Sequence, residues 1–498
     1  MKIRKVITNA FTTTAQEFGS AAVLFLLYRY LYRAIGAEGL GIWSLVLAST
    51  SVITLANQGF SSSVVKFVAK YAAREQADEV SILIQTAFLS ISGGLAIACL
   101  ALYPAAVWIL KLVVPQEHLE TAIAIAPWAL LSLWINVGSD VLLAGLAGHE
   151  LILQRNYVIF GGCLLNLVLA LQFVPRFGLL GLAYAQTIEA AGSFLVTWLL
   201  LRRQIPQFPF VPRHWNRARF REMIGYGAEF QLITICQAAR EPVTKALLTR
   251  FAGLAATGFY DMASRWVVTF RELIVQANQV LVPTVAALQE RDPDSILRVY
   301  RDSYRLILYL SVPSFAFLLA VSPVVSVVWL GSYQPMFVCF VALLTVGWLA
   351  NILGNPAYVV DLGTGALRRI TAGCLTTCIL NFALGLAGGK FFGGTGVVAA
   401  SAFSLMLGYA LILIQFHREN RLPFSVLLPR ESLKIILSSI LAGLLLFPYL
   451  RRVTVIIPFS RGTAGLLLGV LLIAILIPMW AHPLRRRVWR WALSRSSA

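Results

Sequence analysis

Charge is what this sequence lacks most. Only 13% of its 498 residues are Asp, Glu, Lys or Arg, against roughly 25% in soluble globular chains. Phosphate-handling chemistry is missing too. No Gly-rich loop ending in Gly-Lys-Ser/Thr occurs, so the chain has no motif for hydrolysing ATP. The five histidines (His118, His149, His214, His417 and His482) are scattered without metal-ligand spacing. The six cysteines (Cys99, Cys163, Cys236, Cys339, Cys374 and Cys378) show neither redox nor zinc spacing. No metal, cofactor or catalytic residue is expected. The one acid pair of glycosyltransferase character, Asp292-Pro293-Asp294, reads better as a turn leading to a helix cap at Asp294 or Ser295.

Apolar residues are abundant, at 58%, and they come in blocks. Residues 80–102, 151–173 and 462–480 run with almost no charge, near the roughly 20 residues a helix needs to cross a bilayer core of about 30 Å. In hydrocarbon each backbone polar group must be bonded within the protein, which leaves helices or a closed barrel. The runs lack the alternation of barrel strands, so helices remain. About fourteen spans are predicted, near residues 10–34, 38–60, 80–110, 119–147, 151–173, 178–201, 222–250, 254–282, 303–328, 336–360, 370–388, 394–416, 433–450 and 462–481. The first apolar run leads straight into another, unlike a cleaved signal peptide, and is expected to stay as a helix. Residues 61–78 suit an amphipathic helix on the membrane surface.

Basic residues orient the chain. With both termini placed in the cytoplasm, the inner segments hold 28 Lys and Arg and the outer loops hold 8. That distribution accounts for the net charge of +19. It predicts contact with anionic membrane lipids instead of nucleic acid.

The two halves resemble each other. Ala15-Gln16-Glu17-Phe18 recurs as Gly227-Ala228-Glu229-Phe230, and Gly41-Ile42-Trp43 as Gly258-Phe259-Tyr260. Ala56-Asn57-Gln58 recurs as Ala277-Asn278-Gln279, Gly138 matches Gly354, and Gly178 matches Gly393. The offsets run from 212 to 221 in a constant order. An even number of spans per copy gives both copies one orientation. The expected fold is all-α and integral to the membrane, with two parallel-repeat six-helix bundles plus two C-terminal helices. The expected domains are a first bundle at 1–201, a basic cytoplasmic linker at 202–221, a second bundle at 222–416, and two further helices with a basic tail at 417–498.

This architecture, with Gly39-Leu40-Gly41-Ile42-Trp43 opening the second span, resembles the polysaccharide-biosynthesis flippases of the multidrug/oligosaccharidyl-lipid/polysaccharide exporter superfamily. The resemblance implies a basic central cavity for the anionic head of a lipid-linked glycan. It also implies a groove for the lipid tail formed by spans 13 and 14.

Five of the 41 Lys and Arg fall within spans: Arg29, Arg240, Lys245, Arg265 and Arg271. A cation at the bilayer centre costs at least about 2.5–3.5 kcal/mol, so each needs water or a counter-charge. Asp261, Arg265, Glu272, Gln276 and Gln279 form one polar stripe, with Asp261 and Arg265 one turn apart and Arg271 off the stripe. The expected substrate-binding cations are Arg240, Lys245, Arg265 and Arg271, with Arg29. Two readings stand for several of them: Arg29 and Lys245 as snorkelling side chains, and Arg265 as a helix staple neutralised by Asp261. Glu17, Glu229, Asp261 and Glu272 are candidates for ion coupling or for structural bridges. Pro242 is expected to kink its helix.

The function expected is a multi-pass transporter of a bacterial inner membrane. It would flip a lipid-linked oligosaccharide for polysaccharide biosynthesis by alternating access, serving polymerase machinery and acting as no enzyme. The rivals are a drug/cation antiporter of the same superfamily, which would favour an acidic cavity, and a membrane glycosyltransferase or polymerase, which would need a larger outer loop.

Overall fold

The computed structural model describes residues 2–456 apart from 52–56, 73, 75, 150, 206, 280–284, 286–287, 290–291, 293–294 and 428–429. The fourteenth span and the basic tail lie outside the described residues. Ten long helices follow one another among the described residues. They are α1 (Lys2–Ser51), α2 (Asn57–Ala72), α3 (Ala77–Val113), α4 (Gln116–Gly148), α5 (Ile152–Gln204), α6 (Arg217–Gln279), α7 (Ile296–Leu330), α8 (Pro335–Thr364), α9 (Leu367–Glu419) and α10 (Arg430–Ile456). No strand occurs among the described residues. Among the described residues, eight helical stretches are long and apolar enough to cross a membrane.

Four of the ten are two helices joined at a single glycine. The breaks are Gly36 in α1 (φ 70°, ψ −178°), Gly178 in α5 (φ 57°, ψ −131°), Gly253 in α6 (φ 83°, ψ 177°) and Gly393 in α9 (φ 59°, ψ −141°). Positive φ is open to glycine at little cost and to other L-residues only with strain. Gly36 and Gly253 share one geometry at an offset of 217, and Gly178 and Gly393 share another at an offset of 215. The internal repeat is thus written in the backbone angles. Counting each broken helix as two, the described residues hold thirteen long segments besides α2. α6 keeps helical backbone angles through Pro242 and departs from them at Gly253.

The chain divides into two compact units, residues 1–250 and 251–498. In the first, α5 packs on α4 and α1, and α3 packs on α4. Gly162 on the first half of α5 faces Glu189 and Ser193 on the second half, so the helix folds back at Gly178. α2 is helical as the sequence indicates, but its apolar face does not lie on lipid. Val64, Phe67, Val68 and Tyr71 are buried in the core with α3 and α4. α2 crosses α4 where Gly148 leaves room for Val68, since a Cβ there would stand 2.7 Å from the Val68 Cβ. Small residues permit this close approach in membranes, where dispersion and hydrogen bonds hold helices together.

In the second unit α8 packs against α9, and α7 against both α8 and α10. The halves of α9 meet through glycine: a Cβ on Gly408 would stand 1.9 Å from Thr377 Oγ1 and 2.5 Å from the Gly373 carbonyl oxygen. A buried ion pair closes one end. Asp361, wholly buried at the end of α8, accepts a 2.9 Å hydrogen bond from Arg369 Nε at the start of α9. Arg369 also pairs with Glu419 at the far end of α9 and lies 5.4 Å above the Phe416 ring. Beside it the Tyr300 hydroxyl meets His417 Nε2 at 2.7 Å. Ser295 stands just before α7 but makes no side-chain capping bond; its hydroxyl donates to Asp292 instead, and Pro293 and Asp294 lie outside the described residues.

Two stability predictions follow from these contacts. Gly408→Ala overpacks the α9 hairpin and should lose about 1–3 kcal/mol, with Gly178→Ala losing about 1–2 kcal/mol; thermal unfolding of the purified protein, followed by tryptophan fluorescence, reads both. Asp361→Ala takes the buried acid from the Arg369 guanidinium, leaving its pair with the exposed Glu419, and should cost up to about 3–5 kcal/mol; an unchanged melting temperature would show that the Asp361–Arg369 pair holds nothing together.

Candidate functional site

Of the five cations expected within spans, Arg240, Lys245, Arg265 and Arg271 lie on α6, two on each side of its break at Gly253 and two in each unit.

In the first unit Arg240 and Lys245 are 8% and 6% exposed. Lys245 Nζ lies 3.2 Å from Glu241 one turn earlier, and Glu241 is the more exposed partner. Thr244 and Thr249 donate at 2.9 Å to the carbonyls of Arg240 and Lys245, which hides their hydroxyls along the same helix. Arg29 and Glu17 are partly buried on the first half of α1. The side chain of Glu229, the repeat partner of Glu17, lies outside the described residues, as do those of Gln276 and Gln279.

The first unit also contains a polar seam, of which the sequence shows one side, Thr13, Glu17 and Ser20 on a common face of α1, but not the partners. Asn156 donates to Thr13 at 2.9 Å, Gln16 donates to Ser20 at 3.1 Å, and Ser193 donates to Glu189 at 2.9 Å. Glu189 is visible in the sequence as an acid within a span. Its placement opposite Gly162 depends on α5 folding back, which no local pattern reveals.

In the second unit the Asp261–Arg265 pair forms as its spacing predicts, with Arg265 Nε 3.0 Å from the carboxylate. Asp261 is 2% exposed while the Arg265 side chain is 40% exposed, so the acid anchors and the guanidinium reaches outward. Arg271 is held differently. Its Nε donates to Asn351 Oδ1 on α8 at 2.8 Å, and its guanidinium lies 4.8 Å from the centre of the Trp348 ring. One terminal nitrogen pairs with the adjacent Glu272. A flat cation over an indole face is favoured by the ring quadrupole, more so away from water. Asn351 is 1% exposed and Asn355 is 4% exposed. These two buried amides stand one turn apart in an apolar helix, which is the signal by which α8 could have been flagged.

Chemically, Arg271 has the features of an anion-recognition group. Asn351 and Trp348 fix the plane of its fork, and planar forks pair with carboxylate or phosphate oxygens at two points. Glu272 occupies one terminal nitrogen in this structure, as a competing anion would.

The model of the polysaccharide biosynthesis protein family matches residues 30–339. No curated protein matches the chain. Among solved structures, the chain is similar to an inward-facing multidrug resistance MATE family transporter of the MOP superfamily, with a TM-score of 0.71 and 17% identity over 80% of this chain and 94% of that one. It is similar to the lipid II flippase MurJ in an inward closed conformation, with a TM-score of 0.71 and 11% identity over 95% and 98%. A third is a MOP superfamily transporter from Pyrococcus furiosus, described as having a binding pocket of reverse polarity, with a TM-score of 0.58 and 14% identity over 84% and 95%. At these identities the likeness speaks for the fold, and the family match speaks for the sequence. The chain belongs to the polysaccharide biosynthesis protein family and carries the fold of the MOP superfamily transporters.

Proposed function

We propose that the protein flips a lipid-linked oligosaccharide, a polyprenyl-diphosphate sugar, across the bacterial cytoplasmic membrane by alternating access. The observation that carries the reading is the set of interior cations on α6, above all Arg271 moored between Asn351 and Trp348. A diphosphate head group is a doubly anionic, multi-oxygen ligand that such forks match. The glycan's lipid tail stays in hydrocarbon while the head crosses. Arg240, Lys245, Arg265 and Arg271 bind the head, with Arg29 nearer the rim. Glu17, Glu229, Asp261 and Glu272 set the charge balance or carry a coupling ion, and Glu189 joins them from its seam. Energy comes from an ion gradient, the membrane potential or removal of product by polymerase machinery. Both termini face the cytoplasm in this reading, and the chain acts as a transporter and not as an enzyme.

Deleting the gene should make a lipid-linked glycan accumulate on the inner leaflet. An unchanged glycan profile with altered drug sensitivity would favour a drug/cation antiporter. Arg271→Gln should reduce glycan export at least tenfold, from loss of a charge-assisted bond worth about 1.5–3 kcal/mol, while protein abundance in the membrane holds. Arg271→Lys keeps the charge but loses the fork and should fall between. Asn351→Leu should weaken export without removing any charge. Full export from Arg240→Gln, Arg265→Gln and Arg271→Gln alike would sink the assignment.

Orientation is separately testable. In a cysteine-free chain, Arg203→Cys should react with an impermeant thiol reagent only from the cytoplasmic side and Lys390→Cys only from outside. The reverse pattern would invert the topology.

A further inference from the structure

Residues 202–221 contain six arginines and no acid, with prolines at 206, 209 and 212. In the sequence they read as a plain basic linker. In the structure they are a strap fastened along α3. Ser81 Oγ donates to the Gln207 carbonyl at 3.0 Å, and Gln85 Oε1 accepts from the backbone amides of Arg213 and His214 at 3.0 and 3.2 Å. Thr86 Oγ1 accepts from the Asn216 amide at 3.1 Å, and the Trp215 indole N–H donates to Ser90 Oγ at 2.8 Å. The Asn216 side chain then caps α6, accepting from the amide of Ala218 at 2.8 Å. Phe208 is buried against Trp198, which pins the start of the strap.

The far end is pinned by charge. Arg219 pairs with Glu79 of α3 at 2.9 Å and with Glu222 at 3.0 Å, and Lys70 of α2 reaches Glu222 at 2.9 Å. Burial alone would lower the Arg219 pKa. The hydrogen bonds that Arg219 donates to Glu222 and Glu79, with the adjacent Tyr71, more than reverse that and raise it.

Two features of the strap make no sense in open water. The amides of Arg213, His214 and Asn216 are bonded to α3 side chains where water would serve, as a low-dielectric layer requires. Its outer side exposes Phe210 at 64%, Val211 at 50% and Trp215 at 50%. The anchors Ser81 and Ser90 are nine residues apart, so the strap follows roughly 13 Å of α3, a helix apolar from Val80 onward. An exposed indole whose one N–H is satisfied is the side chain of a membrane–water boundary. Around it Arg202, Arg203, Arg213 and Arg217 are exposed, with the Arg202 guanidinium 5.1 Å from the Phe210 ring centre.

We infer that this strap is a pre-formed platform for anionic phospholipid head groups of the surrounding bilayer, with the aromatics seated at acyl-chain level and the arginines holding the phosphates. The site is independent of the transported substrate.

The test uses the full chain carrying Phe210→p-benzoylphenylalanine, reconstituted in nanodiscs made of equal parts phosphatidylglycerol and phosphatidylcholine. After irradiation, mass spectrometry should find lipid adducts enriched several-fold in phosphatidylglycerol. Arg202→Gln, Arg203→Gln, Arg213→Gln and Arg217→Gln together should bring the two lipids to near parity, with yield and melting temperature unchanged. Equal adducts in the arginine-bearing chain would overturn the anionic preference. An absence of lipid adducts would place the strap in water and overturn the platform altogether. A dominant cross-link to another protein in native membranes would assign the surface to a protein partner instead.

Discussion

An amide in hydrocarbon has no water to fall back on, and the structure answers to that constraint throughout. It makes the chain helical wherever it crosses the bilayer. It also restricts how one helix can give way to the next. A loop of ordinary length would bring unpaired amides and carbonyls with it. A single glycine at positive φ changes direction within one residue and leaves almost nothing to satisfy. Gly36, Gly178, Gly253 and Gly393 make that change in two matched geometries. The strap over α3 obeys the same constraint by borrowing Gln85 and Thr86 as partners, while its prolines simply have no donor to place.

Charge inside such a protein is expensive, so where it persists its surroundings are informative. The second unit alone uses it in three ways. Asp361 and Arg369 lock helix ends together and bury both partners deeply, a structural use. Asp261 and Arg265 are lopsided, with the acid hidden and the base reaching outward. Arg271 is oriented by a neutral amide and an indole, while one terminal nitrogen pairs with the half-exposed Glu272. Of these arrangements the last suits ligand recognition best, because the groups that fix its plane stay in place when that acid is exchanged for a ligand anion.

Local patterns in the sequence carried much of this. Hydropathy set the spans, and a four-residue spacing foretold the Asp261–Arg265 pair. Matches such as Gly178 with Gly393 announced a repeat that the backbone angles repeat in turn. Contacts between residues far apart in sequence were not legible. Asn351 stands 80 residues from Arg271, and the spacing within α8 says only that a buried amide is there, not what it bonds. The amphipathic α2 announced an apolar face but not its occupant, since lipid and a protein core select the same side chains. The placement of Glu189 against Gly162 exists only once α5 has folded back.

A one-residue turn has no slack. Helices joined at Gly178 or Gly393 are coupled like the arms of a bent rod, so tilting one arm must carry the other. The connection that follows α5 is a dozen residues long, yet its bonds to α3 tether it, so it too must follow the helix it lies on.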